Sequence, residues 1–474
     1  MDSDSYLNKV TEMVSDAKTY RNTNVDDSIE VKQSCDTLIS NLGSQGLLNK
    51  KQLQYLTNFE PRCPLFYGLP KVHKPNIPLR PICSQIEGPT SRLNELVDKY
   101  LTVAEQSIPF LLQDTTAYLL LIEQNKHVSP NTILCTVDVT SLYTNIPHEE
   151  GAQWVADFYE ETLPLWNGQC NGLCPIDKLT LYNYMLFILR NCTFEFNARQ
   201  YTQLYGTTMG AKFSVKFANI YMHCWLRKFI GLYEGCKPNF IARLIDDCFW
   251  LWDYGMEALN EFLNYLNNCH NSIKFEPNCS TEKVNFLDTV TFISNQVIHT
   301  NVYTKPTDKK QYLHFESSHP KHTMIAIPYS QAIRYRRIID EDNLFFEELE
   351  VLYSRLRNRG YPDDLLLKTD NKIKLLTRTD VLQYKSKTAK EAALNTFLRG
   401  KSFLPCIIPF HSDFQANLKN NINKHWRTML YSNSKLFDVF QEEFPQIIFK
   451  RGVTLGNILV SSKFKQEWDT IDLE

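Results

Sequence analysis

The chain of 474 residues lacks the features that mark membrane proteins, secreted proteins and strongly basic nucleic-acid binders. It has no run of about eighteen or more apolar residues, so a membrane span is not expected. Its N-terminus, MDSDSYLNKV, is polar and acidic, unlike a signal peptide or an arginine-rich transit peptide. Lys and Arg number 51 against 53 Asp and Glu, and the net charge of −2 gives no support to a nucleic-acid partner.

The chain also lacks a disulfide rhythm, internal repeats and low-complexity tracts. Its 13 cysteines are odd in number and irregularly spaced, which favours a reducing, intracellular compartment. Cys170 and Cys174 could suggest zinc, but no second Cys/His pair stands at finger distance, so loop thiols are favoured. With 43% hydrophobic residues, the chain is expected to form a folded globular protein of two to four structural units.

Two adjacent aspartates inside an apolar run are the most informative feature present. Residues 241–252 read IARLIDDCFWLW, which sets Asp246 and Asp247 between strand-forming residues. Two uncompensated carboxylates are costly to bury, whereas a hairpin turn could hold them beside a cation. A third acid, Asp138, ends the strand-like run over 133–139. If neighbouring strands bring the three together, their oxygen-only chemistry favours two Mg²⁺ ions, or Mn²⁺, as in polymerases.

Each acid also has an ordinary structural interpretation. Asp138 alone would more often be a helix cap or a turn residue. The chain has other acidic pairs, Asp26-Asp27 and Asp363-Asp364, but these lie in polar, loop-like contexts and not between apolar runs. A two-metal nuclease would also need clustered carboxylates, so that function stays open beside a polymerase.

Several further residues could contact a nucleotide beside these acids. Tyr143 could close over a bound sugar and obstruct a 2′-hydroxyl, although an ordinary core or surface tyrosine is the alternative. Lys71, Lys74 and Arg80 lie in a proline-rich stretch (61–90) that excludes helix and favours extended backbone. Arg80 could fork onto a triphosphate, and a solvated basic loop is the equally plain alternative.

A glycine-containing segment could approach a ligand closely. In YGTTMGAKFSVKFANIY (205–221), Gly206 and Gly210 precede a predicted helix, an arrangement that suits contact with a phosphate or a base pair. Lys212 and Lys216 share one helical face and could touch backbone phosphates, or form a solvated face. Lys274 begins a predicted strand and could reach a pyrophosphate leaving group.

Hydrophobic periodicity predicts a mixed α+β order through the middle of the chain. We expect helices at about 91–127, 148–161, 175–191, 212–230 and 256–270, and strands at 133–139 and on both sides of the Asp-Asp pair. Hairpins are predicted around Asn197-Ala198 and Ser294-Asn295-Gln296, and mainly helical structure after 323. This order is compatible with a ferredoxin-like sheet covered by helices on one face.

Taken together, the segments resemble the reverse transcriptases of Penelope-like retroelements, over about residues 5–465. The resemblance depends on an ordered series of motifs: FYGLPKVHKP (66–75) with LRPICS (79–84), TVDVTSLYTNIP (136–147), YGTTMGAKFSVKFAN (205–219), RLIDDCFWLW (243–252), HNSIKFE (270–276) and VNFLDTVTF (284–292). VYTKPTDKKQYLHFESSHP (302–320) and PFHSDFQANL (409–418) are similar to that family as well.

The resemblance implies a right-hand polymerase of α+β class. Its parts would be an N-terminal helical segment (1–60), fingers (61–130), a ferredoxin-like palm (131–293), a helical thumb (294–400) and a thumb-associated segment (401–474). Family members copy RNA into DNA from a primer 3′-hydroxyl. The expected partners are therefore an RNA template, a DNA primer and dNTPs, in the nucleus.

The resemblance also implies roles for single residues. Asp138, Asp246 and Asp247 match the catalytic aspartates that hold two Mg²⁺ ions. The other matches are Lys71 and Arg80 to positions that hold the incoming nucleotide, Tyr143 to the sugar gate, Gly210 and Ser214 to the cradle of the templating pair, Lys274 to the lysine that protonates pyrophosphate, and Phe286-Leu287-Asp288 to the primer grip.

Departures from the family pattern keep a second function open. Ala211-Lys212 and Ser214-Val215 stand where the family usually has Ser-Pro, and Leu244-Ile245 stand where it usually has Tyr-Val. The sequence is also expected to lack an Asp-Lys-Gly fingers element and a GIY-YIG nuclease. The alternative is a catalytically inactive, nucleic-acid-binding remnant of such an element.

Overall fold

The computed structural model describes residues 2–383 except 24, 73 and 167–171, together with 404–410, 415–432, 437 and 445–450. The chain is a mixed α/β protein of two compact units. The first comprises Met1–Tyr118, His127–Leu287 and Phe292–Val297, and the second Leu119–Lys126, Asp288–Thr291 and Ile298–Glu474. Among the described helices, none has the length and apolar character needed to cross a bilayer.

Helices and strands alternate through most of the chain. The helices are α1 Ser3–Val14, α2 Ser28–Ser44, α3 Lys50–Thr57, α4 Ser91–Tyr100, α5 Thr102–Gln106, α6 Thr115–Gln124, α7 Leu142–Asn145, α8 His148–Thr162, α9 Lys178–Arg190, α10 Ser214–Leu232, α11 Gly255–Asn268, α12 Lys321–Ile338, α13 Asp342–Arg357, α14 Asp363–Ile373 and α15 Gln415–Tyr431. The strands are β1 Tyr20–Asn22, β2 Leu65–Pro70, β3 Leu79–Ser84, β4 Ile133–Val139, β5 Thr193–Phe196, β6 Arg199–Gln203, β7 Phe240–Leu244, β8 Asp247–Trp252, β9 Phe275–Ser280, β10 Lys283–Phe286, β11 Thr289–Ser294, β12 Val297–Val302, β13 Leu404–Pro409 and β14 Pro445–Lys450.

A four-stranded antiparallel sheet lies at the centre of the first unit. Its strands run in the order β7–β8–β4–β9. Helices α7 to α10 connect β4 to β7, a tight hairpin joins β7 to β8, and α11 connects β8 to β9. This is the β-α-β-β-α-β order of ferredoxin-like sheets, as the sequence pattern predicted.

Strand alternation gives this sheet two different faces. Val137 and Val139 of β4 and Trp250 and Trp252 of β8 are buried in a core shared with helices α8 to α11. Their neighbours in sequence point to the opposite face because successive strand residues alternate. On that opposite face Phe249 packs against the rings of Tyr118 and Phe286. Asp138 and Asp247, which are paired across the two strands, belong to the same face.

The proline-rich stretch forms a β-hairpin in a second sheet of the first unit. The order of this sheet is β1–β6–β5–β2–β3, and β2 pairs with β3 from Leu65↔Ser84 to Pro70↔Leu79. The exclusion of helix from this stretch is therefore confirmed. The hairpin predicted at Asn197-Ala198 is confirmed as well, with positive φ angles of 49° and 57° at its two turn residues.

Two predicted elements are broken in the structure. The helix predicted at about 91–127 is three helices, α4 to α6, because Pro109 and Phe110, with a φ of 57°, end the helical course before α6. The first strand predicted in 283–305 is split into β10 and β11 by a turn at Leu287 (φ 54°). Asp288 is the one turn-forming residue there, and it is a weaker signal than glycine or asparagine at the positive φ angle of Leu287.

The second unit is mainly helical in its described part, as predicted after 323. Helices α12, α13 and α14 bury a core that includes Tyr335, Phe345, Leu349 and Leu352. Strands β13 and β14 form a parallel pair. The five predicted segment boundaries stay predictions, and all of 384–403 and of 451–474 lies outside the described residues.

Candidate active site

Strand register brings the predicted acids into one row across the central sheet. Asp138 of β4 is paired directly with Asp247 of β8 on one side and with Glu276 of β9 on the other. Directly opposed residues in antiparallel strands have Cβ atoms about 4.5–5.5 Å apart. Asp246 occupies the β7–β8 turn, and its carbonyl accepts a hydrogen bond from the Val139 amide at 3.1 Å. Residues separated by more than a hundred positions in sequence thus share one edge.

The charge around Asp138 is mainly negative. Burial raises the pKa of the Asp138 carboxyl, and the neighbouring Asp246 and Glu276 carboxylates raise it further. Lys74 and Lys71 act in the opposite direction on the same pKa. A divalent cation at this position would relieve both the repulsion and the desolvation of the carboxylate.

The donor chemistry of the row suits Mg²⁺, which prefers carboxylate oxygens and water. Within the described ranges, however, no three His, Cys, Asp or Glu side chains are already arranged as a metal-ligand group. Strand register therefore brings Asp138, Asp246 and Asp247 to neighbouring backbone positions, and their binding of an ion stays a prediction.

The tip of the β2–β3 hairpin carries cations toward the acid row. The loop between the strands closes with a hydrogen bond from the Lys71 amide to the Pro78 carbonyl at 2.9 Å. The charges of Lys71 and Lys74 act on Asp138, and the charge of Arg80 acts on Tyr143. The three predicted cations thus lie on the same hairpin, where Lys71 and Lys74 are close enough to influence Asp138 and Arg80 is close enough to influence Tyr143.

Tyr143 is within electrostatic reach of both Asp246 and the Arg80 hairpin. The chain leaves β4 through Ser141, which has a φ of 50°, and Tyr143 follows in the short helix α7. Its half-buried ring has a pKa raised to about 12, chiefly by burial and then by the Asp246 carboxylate, while Arg80 opposes the shift. The chain therefore turns out of the strand soon after Asp138.

Gly206 and Gly210 both lie very close to backbone atoms of this chain, so neither faces open space. Gly206 has a φ of 74°, and a Cβ there would lie 2.4 Å from the Tyr143 carbonyl oxygen. Gly210 has a φ of 140°, and a Cβ there would lie 2.1 Å from the Cys83 carbonyl oxygen. The sequence suggested that this segment could approach a ligand; the close approaches in the structure are to the Tyr143 turn and strand β3, and contact with a templating pair stays a prediction.

The helix that follows is also held by internal contacts. The buried Ser214 hydroxyl lies 2.6 Å from the Thr207 hydroxyl. Lys212 forms an ion pair with Glu95 at 2.8 Å, and Lys216 forms one with Asp98 at 3.0 Å. Both lysines thus contact acids of α4; Lys212 is exposed, Lys216 is partly buried, and contact of either with a phosphate stays a prediction.

Lys274 is directed toward the end of a helix. Its Nζ donates to the carbonyls of Asn267 and His270, the latter at 3.2 Å, at the C-terminal end of α11. Its backbone carbonyl accepts from the Thr140 amide at 2.9 Å, beside the end of β4. The residue stands near the acid row, and its role toward pyrophosphate stays a prediction.

The predicted primer-grip residues form a turn. Phe286 is 3% exposed and packs between the rings of Tyr118 and Phe249, at centroid distances of 4.8 and 5.5 Å. Leu287 has a φ of 54°. Asp288, in the second unit, pairs with Arg334 at 2.9 Å. Contact of this turn with a primer stays a prediction.

Sequence reasoning missed two charged residues of this region, Glu276 and Arg243. Glu276 lies on β9, two residues after Lys274, but its place opposite Asp138 depends on strand register, which the pattern did not supply. Arg243 is 4% exposed on β7, and the signal was a lone cation within an apolar strand. Cys170, considered for zinc, lies outside the described residues.

Comparisons with known proteins give one family and several solved structures. The model of the "Animal helix-turn-helix domain" family matches residues 311–371, which contain α12, α13 and most of α14. A search of curated protein sequences finds no match.

The similar solved structures are telomerases and RNA-dependent RNA polymerases. The apo telomerase of Candida tropicalis, truncated of its C-terminal domain, is 14% identical over 51% of this chain, with a TM-score of 0.38. This chain spans only 55% of that structure. Candida albicans telomerase, in complex with a fragment of telomeric RNA, is 10% identical over 86% of this chain and 70% of its own, with a TM-score of 0.46. The BmCPV RNA-dependent RNA polymerase at elongation state is 9% identical over 74% of this chain and 31% of its own, with a TM-score of 0.39.

Proposed function

We propose that this chain is an RNA-directed DNA polymerase of retroelement type, built as a right hand whose palm is the sheet β7–β8–β4–β9. The observation that carries the proposal is the register of that sheet, which pairs Asp138 with Asp247 and fixes the Asp246 turn beside them. Acids placed in this way at the end of a ferredoxin-like sheet suit two-metal phosphoryl transfer.

The chain's own residues divide the work of nucleotide addition. Asp138, Asp246 and Asp247 would hold two Mg²⁺ ions, which when bound activate a primer 3′-hydroxyl and neutralise charge on the triphosphate. Lys71 and Arg80, on the hairpin whose charges act on Asp138 and Tyr143, would bind the phosphates.

Tyr143 selects the sugar in this proposal. The charges of Asp246 and Arg80 both act on the pKa of Tyr143. Its ring would therefore border a nucleotide that is bound between the acids and the cations. A ring there obstructs a 2′-hydroxyl and favours dNTPs. Gly210 and Ser214 would support this arrangement, because they help to fix the 206–214 segment against the Tyr143 turn and β3.

The second unit would bind the nucleic acid as a thumb. The helix-turn-helix family that matches 311–371 supports this role, because such helix pairs commonly contact nucleic-acid backbones. The partners in the proposal are an RNA template, a DNA primer and dNTPs, and the proposed location is the nucleus. The turn Phe286-Leu287-Asp288 would contact the primer, and Lys274 would reach pyrophosphate after leaving the end of α11.

Primer extension tests the proposal. The wild-type chain should incorporate dTTP on poly(rA) primed with oligo(dT) when Mg²⁺ is present. Asp246→Asn should reduce the rate by roughly 10³-fold or more, because it removes one carboxylate that stabilises transition-state charge. Asp26→Asn is the matched control, because Asp26 is an exposed member of the acidic pair just before α2 and belongs neither to the site nor to the second unit.

The other two functions predict different results in the same assay. A folded wild-type chain that binds the template–primer but incorporates no dTTP would be the inactive remnant. Metal-dependent cleavage of the template without added nucleotide would indicate the nuclease. Either result contradicts the polymerase proposal.

A further inference from the structure

A buried arginine lies directly behind the Asp246 turn. Arg243 is on the helix-covered face of β7, and its Nη1 donates to the Ile245 carbonyl at 2.8 Å. Ile245 is the residue immediately before Asp246 and has a φ of 57°. That conformation is unusual for a β-branched residue, so neighbouring contacts must hold the turn in place.

The guanidinium is itself held by helix α10. Its Nη1 also donates to the Asn219 side-chain oxygen at 3.1 Å, and its Nη2 donates to the Asn219 carbonyl at 2.8 Å. The Asn219 amide nitrogen donates in turn to the Glu105 carboxylate at 2.8 Å. A chain of hydrogen bonds therefore runs from α5 through α10 to the turn that carries Asp246.

The backbone of Arg243 is fixed independently of its side chain. Its amide donates to the Phe110 carbonyl at 3.2 Å, and its carbonyl accepts from the Leu112 amide at 2.8 Å. On the far side of the turn, the Val139 amide donates to the Asp246 carbonyl at 3.1 Å. The turn is thus held between Arg243 on one side and β4 on the other.

We infer that Arg243, Asn219 and Glu105 form a positioning relay that sets the turn carrying Asp246 and Asp247 for cation binding. The inference rests on the proposed function, in which these carboxylates bind Mg²⁺. Arg243 touches no reacting atom and is a positioning residue. A planar guanidinium serves two directions at once, toward Ile245 and toward Asn219, which a lysine ammonium cannot do with the same geometry.

The test compares Arg243→Lys with Arg227→Lys in the full-length chain. Arg227 lies on α10 like Asn219, but its guanidinium is at the surface and pairs with Glu161 at 2.7 and 2.9 Å. Arg243→Lys should weaken Mn²⁺ binding, measured by electron paramagnetic resonance without nucleotide, by roughly 10–100-fold, the usual effect of losing a residue that orients a metal ligand. Hydrogen exchange at the Val139 amide should accelerate by a similar factor, and Arg227→Lys should change neither.

Primer extension adds a readout that a merely structural role would not give. Arg243→Lys should lower kcat for dTTP by roughly 10-fold or more while KM changes less than about threefold, since the nucleotide-binding cations lie on another hairpin. If Arg243→Lys fails to fold, Glu105→Ala tests the relay in its place, because Glu105 is only half-buried. Glu105→Ala should weaken Mn²⁺ binding about fivefold.

The inference and the proposed function can fail separately. If the wild type extends no primer, the proposed function fails, while exchange at Val139 in Arg243→Lys still decides whether the relay holds the turn. Wild-type Mn²⁺ affinity together with wild-type Val139 exchange in folded Arg243→Lys would overturn the relay. If Glu105→Ala is the variant tested, wild-type Mn²⁺ affinity and wild-type Val139 exchange in that variant would overturn the relay.

Discussion

Replacing Gly210 with alanine should damage the site by displacing the backbone that supports it, and not by removing a reacting group. Gly210 has a φ of 140°, which L-residues rarely adopt, and its Cα faces strand β3. An alanine Cβ would lie 2.1 Å from the Cys83 carbonyl oxygen and 3.0 Å from the Cys83 carbonyl carbon. Both atoms are backbone, so they cannot be moved by a side-chain rotation, and either β3 or the 206–214 segment must shift.

The expected cost can be assembled from its parts. A non-glycine residue in this backbone conformation costs about 1–3 kcal/mol. A shift that relieves the clash also weakens the hydrogen bond from the Cys83 amide to the Met209 carbonyl, now 3.0 Å, which contributes about 1 kcal/mol. The free energy of unfolding should therefore fall by about 2–4 kcal/mol. Because β3 also carries Arg80, the KM for dTTP should rise.

Two other glycines separate strain from steric clash. Gly255 has a φ of 77°, but no atom lies within 4 Å of the place that an alanine Cβ would occupy, so Gly255→Ala should cost only the strain, about 1–2 kcal/mol. Gly231 has neither a positive φ nor a neighbour within 4 Å, and it lies in α10. Gly231→Ala should be neutral or should stabilise by up to about 1 kcal/mol.

Urea unfolding followed by tryptophan fluorescence measures the series, and primer extension measures the effect on KM. The order of destabilisation should be Gly210 first, Gly255 second and Gly231 last. If Gly210→Ala were no more destabilising than Gly255→Ala, and KM for dTTP were unchanged, the close contact between the 206–214 segment and β3 would be wrong.

Substitutions at three further positions probe the site itself. Burial, and then Asp246 and Glu276, raise the pKa of Asp138, so its contribution to stability is present in acid and lost as pH rises through that pKa. Urea unfolding in EDTA should therefore find Asp138→Asn more stable than wild type near neutral pH, with the advantage vanishing in acid. Tyr143→Ala should raise the ratio of rNTP to dNTP incorporation about 10-fold, and Tyr143→Phe should leave it unchanged. Arg80→Lys should raise the KM for dTTP about 10-fold in steady-state kinetics, because one ammonium replaces a two-donor fork.

The elements of the site could be predicted from local sequence because their signals are local. The apolar, β-branched run ending at Asp138 predicted a strand at 133–139, and β4 has those bounds. The Asp-Asp pair predicted a hairpin, although its turn residues are Ile245 and Asp246, and Asp247 already belongs to β8.

The contacts that complete the site could not be predicted because they join distant parts of the chain. The place of Glu276 opposite Asp138 depends on the register of β9 against β4, and one residue of slip would put it on the other face. The need for glycine at 210 arises from Cys83, on a strand with no local link to it. Arg243 reads as a cation in an apolar strand until Asn219 and Ile245 are seen beside its guanidinium.

Cleavage by bound iron tests most directly whether the three aspartates share one cation site. Fe²⁺ substituted for Mg²⁺ generates radicals in the presence of ascorbate and peroxide, and these cut the backbone close to the ion. The account predicts cuts near both Asp138 and Asp246-Asp247 in the same protein, suppressed by excess Mg²⁺ and by Asp246→Asn. Cuts at only one of the two places, or cuts elsewhere that Mg²⁺ does not suppress, would contradict it.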